Sequence, residues 1–202
     1  MPILLFNVSW MTFNSLLAAL AVLLGYFFLQ SRSSTLKVLF GISWLLFLPN
    51  TIYLFTDLQH IIEQWTEVTS LEAIVLLLQY ILLQVVGVIT FILAFHPFER
   101  IIKRFSALKK YKIRYIVLFN FLIALGLVLG RVERINSWEV VTNPLRVIAS
   151  AFHVFMSLDL LLLTLLFGIV CNCVYFLFRD MVFYRTRKYM KRVHGALLLF
   201  LD

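Results

Sequence analysis

Most of the residues able to do chemistry in this 202-residue chain fall in two short polar stretches. The first, LPNTIYLFTDLQH, runs from Leu48 to His60 and holds Asn50, Tyr53, Asp57 and His60. The second, GRVERINSWEVVTNP, runs from Gly130 to Pro144 and offers Arg131, Glu133, Arg134, Asn136, Ser137, Trp138 and Glu139. Carboxylates beside an imidazole can move protons. An Arg fork can grip a carboxylate or phosphate through two parallel hydrogen bonds. Arg131 and Arg134 therefore either staple the loops by pairing with Glu133, Glu139, Asp57 or Asp159, or bind an anion; the two roles are compatible. A metal site would draw on His60, Asp57 and His153. The chain has no HExxH, no Cys/His pair at zinc spacing and no GxSxG, so neither a metal nor a cofactor is expected. Ser137 has no base beside it in sequence.

The spacing gives these residues a geometry. Pro49 cannot donate a backbone hydrogen bond and crowds the turn before it, so a kink is expected there, with Asn50 the nearest donor for a freed carbonyl. At about 100° per residue, Asn50, Tyr53, Asp57, His60 and Gln64 fall within roughly one quarter of a helix. An ordinary amphipathic helix end with a solvated face gives the same stripe. Asp159 lies about eight residues into the last apolar run, where an ionisable group is costly and needs a partner. Arg131 is the first choice and Arg134 the second. A lone His153 near a helix end is more often a structural donor than a ligand.

The elements that must position these groups are membrane spans. Hydrophobic residues make up 62% of the chain and charged residues 14%, against the quarter or so that a soluble surface requires. Five apolar segments, about 11–29, 36–55, 71–95, 115–130 and 151–178, each approach the roughly 20 residues that cross a bilayer. The expected fold is an all-α polytopic bundle forming one domain, with Ile3 to Trp10 as an interfacial lead-in and 179–202 as a basic tail. The apolar run from Val147 to Phe178 exceeds one span, so a short interfacial or re-entrant helix could precede the crossing. The tail after Phe183 alternates basic and apolar residues, as on a membrane surface.

Charge sets the orientation. Of the 18 Lys and Arg residues, fifteen lie in the loops before the second and fourth spans and after the fifth, and three on the opposite side. The positive-inside rule then puts the N-terminus outside and the C-terminus in the cytoplasm. Because the cations sit in short loops between spans, the net charge of +8 speaks for the bilayer as partner, not for nucleic acid. The N-terminus lacks the basic stretch of a secretory signal peptide and is expected to remain as the first span. Asn7-Val8-Ser9 fits a glycosylation sequon but lies too near the membrane for use. Cys171 and Cys173 face different sides of one helix and read as packing residues.

The pattern PN-x-x-Y-x-x-TDL (Pro49, Asn50, Tyr53, Thr56, Asp57, Leu58) and the pattern GR-x-x-R-x-NSW-E (Gly130, Arg131, Arg134, Asn136, Ser137, Trp138, Glu139) resemble the two signatures of a bacterial multi-pass membrane family, domain of unknown function 1361. The resemblance covers nearly the whole chain. Glu139 departs from it, since the family usually has Asp there. A bacterial plasma-membrane location is implied; no activity is. Three function classes stay open. The first is a non-catalytic envelope protein binding an anionic lipid or envelope ligand, with a membrane protein partner as a further option. The second is a membrane-embedded enzyme acting on a lipid or envelope substrate, and the third a transporter or its membrane subunit. In each, the ends of the second and fourth spans are expected to pack together around one hydrated polar pocket.

Overall fold

In lipid the backbone has no hydrogen-bond partner but itself, so each long apolar run closes into a helix. The computed structural model, which describes residues 2–199, contains α1 (Pro2–Gln30), α2 (Ser34–Phe47), α3 (Pro49–Thr56), α4 (Gln59–Trp65) and α5 (Ser70–Arg104), followed by α6 (Ser106–Lys109), α7 (Lys112–Arg131), α8 (Glu139–Thr142), α9 (Pro144–Met156) and α10 (Leu158–Leu199). Five segments are long and apolar enough to cross a membrane: Ile3–Gln30, Ser34–Trp65, Ser70–Arg104, Lys112–Arg131 and Leu158–Thr186. The protein is an all-α, multi-pass membrane bundle. Leu78 and Leu82 of α5, Leu118 of α7 and Leu166 of α10 stand exposed on its outside, as lipid-facing residues do.

The apolar run read as 151–178 divides at Ser157. Its backbone is extended (φ −91°, ψ 116°), and its carbonyl accepts the first bond of α10 from Leu161. A Ser in that conformation with Asp159 in the following turn is an ordinary helix start. The short helix foreseen before the last crossing is therefore α9. The last span begins at Leu158, and α10 continues through the basic tail. The surface placement expected for that tail rests on side chains beyond Lys188, which lie outside the described residues.

α1 packs between α2 and α5, α7 packs along α10, and α3 touches α1, α5 and α7. An aromatic cluster ties the middle together, with Phe98 stacked on Phe119 at 3.9 Å and Phe95 against Tyr175 at 4.4 Å. Pro49 stands at the break between α2 and α3 and Pro97 inside α5, and a glycine of a neighbouring helix receives each ring. A Cβ on Gly126 would meet Pro49 Cγ at 2.5 Å, and one on Gly25 would meet Pro97 Cγ at 2.9 Å. Without hydrophobic drive between helices in lipid, such close backbone approach is how spans hold together.

The break at Pro49 leaves carbonyls without their usual partners, and side chains supply donors. Asn50 Nδ2 donates to the Phe47 carbonyl at 3.1 Å, and Thr51 Oγ1 to that of Leu48 at 2.7 Å. Ser137 Oγ reaches across from the loop after α7 to the Leu46 carbonyl at 2.9 Å. The kink is where the second and fourth spans meet.

Candidate functional site

α3 and α4 are separated by a turn at Asp57 and Leu58, which swings Asp57 and His60 toward the last residue of α7. Arg131 Nη1 donates to Asp57 Oδ1 at 2.7 Å, and Asn14 Nδ2 of α1 donates to the other oxygen at 3.3 Å. The Arg131 guanidinium lies over the Tyr53 ring, 4.8 Å from its centroid, and its Nη2 stands 3.4 Å from His60 Nε2. His60 Nδ1 faces Glu63 Oε2 at 3.1 Å. Asp57 is 2% exposed, so its charge is neutralised inside the fold and not by water. Tyr53, Asp57, His60 and Arg131 thus form one cluster.

A second cluster forms downstream. α7 ends as Arg134 turns the chain with φ 54°, the left-handed region that favours glycine, and the Ile135 N–H returns to the Leu129 carbonyl at 3.0 Å. Glu139 Oε1 then accepts from both the backbone N–H and the amide of Asn136, at 2.9 and 3.1 Å, while Arg146 Nη1 grips Oε2 at 2.5 Å. The Asn136 backbone N–H, seconded by its amide and by Arg146, holds the Glu139 carboxyl below the usual carboxylate range. Glu133 Oε1 pairs with His153 Nδ1 of α9 at 2.9 Å, which fastens α9 to the loop after α7. Arg134 is exposed and has no hydrogen-bond or carboxylate partner among the described residues.

Between the two clusters opens a cavity of about 490 Å³. Asn14, Asn50, Tyr53, Asn136 and Ser137 supply polar atoms to its wall, and Trp138 lines it too; the rest is apolar, mostly from α1, α2 and α7, with Pro49, Ile135, Val140 and Val147.

A family model described as protein of unknown function (DUF1361) matches residues 13–174. The chain belongs to that family. The match takes in both polar stretches and the cavity walls, so the DUF1361 region is where α3 and α7 converge. No curated protein and no solved structure matches the chain.

Asp159 is a correction. It is exposed in the first turn of α10 and, among the described residues, makes no ion pair with Arg131 or Arg134. Asp57 already holds Arg131, and the break at Ser157 brings Asp159 to the helix start, not eight residues deep. Asn7, Trp10 and Asn14 were not expected at the site. Asn7 is fully buried and exchanges two amide hydrogen bonds with Gln64, at 2.7 and 3.0 Å, while Trp10 Nε1 donates to it at 2.9 Å. Their spacing of three and four along α1 is the signal that identifies them, a polar stripe inside an apolar run. At the opposite, basic end Glu99 is buried and bonded to Tyr175 Oη at 2.5 Å and to two nitrogens of Arg179 at 2.6 Å, which fastens α5 to α10.

Proposed function

We propose that this DUF1361 protein is a bacterial plasma-membrane protein, with its N-terminus outside, that holds an anionic group in a polar pocket at the extracytoplasmic surface without transforming it. The observation that carries this reading is the cavity between the two clusters, with the amides and hydroxyls of its wall and, one residue before the lining residue Ile135, an Arg134 that is unpaired among the described residues. The excess of Lys and Arg in the loops at the other end supports the orientation.

The arrangement favours holding over reacting. Both Asp57 oxygens are occupied, one by Arg131 and one by Asn14. The Ser137 hydroxyl is spent on a backbone carbonyl. A nucleophilic hydroxyl needs a base to take its proton, and the Ser137 proton goes to the Leu46 carbonyl, while the Asp57 carboxylate is turned to Arg131 and Asn14.

Native mass spectrometry of the protein purified in mild detergent tests the reading. Wild type should carry an anionic adduct that Arg134→Gly loses, since that change removes the cation and relaxes the backbone it strains. Equal spectra, with neither protein carrying an adduct, would overturn it.

A further inference from the structure

The cavity is much longer than an anionic headgroup. Its α7 wall runs from Phe119 to Gly130, roughly 16 Å at about 1.5 Å per residue, which is one leaflet's share of a hydrocarbon core of about 30 Å. Phe119, Ile123 and Leu48 close its deep part, all nearly inaccessible from outside. The polar groups Asn50, Tyr53 and Asn136 belong to elements at the Asp57 end of the bundle. An apolar slot with polar groups at one end matches an amphiphile.

The slot also has a side door. Leu45 of α2 and Leu122 of α7 line it, yet they are 44% and 57% exposed on the bundle's flank. Val140 does the same near the polar end. In a spanning bundle that flank faces acyl chains, so the slot is continuous with the lipid-covered surface.

We infer that the slot takes one hydrocarbon chain of an anionic lipid, drawn sideways from the outer leaflet between α2 and α7, with the headgroup beside Arg134. This rests on the proposed function and adds the ligand class and its route. Arg134, outside the lining but next in sequence to the lining residue Ile135, supplies the charge complementarity, because Arg131 and Arg146 are already paired to carboxylates. Its left-handed backbone is a conformation an Arg holds at a cost that glycine would avoid.

The test compares three probes by native mass spectrometry: phosphatidylglycerol, phosphatidylcholine of equal chain length, and glycerol phosphate. Wild type should retain phosphatidylglycerol at least about tenfold more tightly than either other probe. Leu45→Trp and Val140→Trp, which fill the slot from lipid-facing positions, should each lose about tenfold or more. Two variants on different elements, each checked for a monodisperse folded bundle, separate slot filling from misfolding. If glycerol phosphate binds as well as the lipid and both Trp variants are silent, the chain site is overturned while the anion site stands. Equal retention of the two phospholipids overturns the Arg134 headgroup site, and retention of none overturns both readings.

Discussion

Asp57 and Arg131 are 74 positions apart and meet at 2.7 Å, the carboxylate almost wholly covered and the guanidinium laid on Tyr53. A covered pair of this kind is asymmetric in its energetics. Removing one partner strands the other's charge, which costs about 3–5 kcal/mol, whereas removing both can be nearly neutral. Arg131→Gln should therefore lower the unfolding temperature in detergent sharply, Asp57→Asn less, and the double variant should recover much of the loss. A double-mutant coupling below about 0.5 kcal/mol would show that the pair does not staple the two spans.

Arg134→Gly should behave in the opposite way. The left-handed backbone strain disappears and the unfolded chain gains freedom, so stability should stay within about 1 kcal/mol of wild type. Thermal unfolding checks this beside lipid retention. A variant that loses both stability and ligand would mean that Arg134 is part of the scaffold.

Glu139 gives a pH dependence. Its carboxyl is held below the usual range by Asn136 and Arg146, so the folded state favours the charged form. The stabilisation is complete above the ordinary glutamate value and is lost as pH falls through the lowered folded value. The difference in unfolding temperature between wild type and Glu139→Gln should be largest near neutral pH and shrink in acid. A difference that is flat with pH would remove the charge from the account.

Gly126 tests the contact at the proline kink. Gly126→Ala places a methyl 2.5 Å from Pro49 Cγ, so α3 and α7 must move apart. A loss of about 1–3 kcal/mol is expected. Ala substituted at Gly130, where the nearest atom is the Ile135 carbonyl oxygen at 3.8 Å, should cost less through contact. Equal losses would point to helix backbone effects and not to packing.

The bundle was legible because span length and basic loops are local properties of the sequence. The kink was legible too, since Pro49 dictates it and Asn50 sits beside it. Partners were harder. Asp159 was paired with Arg131 on depth alone, but depth depended on where the last span began, and the Ser157–Asp159 start signal lay hidden inside apolar sequence. Asn7 and Asn14 carry no local sign of their partners, which lie 57 and 43 positions away. Arg146 lies seven positions from Glu139, and nothing in the sequence marks it as the second hand on that carboxylate. Periodicity places a residue on a face; it does not say which neighbour will arrive opposite.

The Pro49 break bears on the order of assembly. Its Leu46 carbonyl finds a donor in Ser137, just past the fourth span, and Asp57 finds its counter-charge in Arg131, the last residue of that span. As the chain emerges from N- to C-terminus, the second span is in place before either group exists. The first three spans therefore hold an unpaired carboxylate and an uncapped carbonyl until the fourth arrives, and docking of α7 completes the N-terminal half of the molecule.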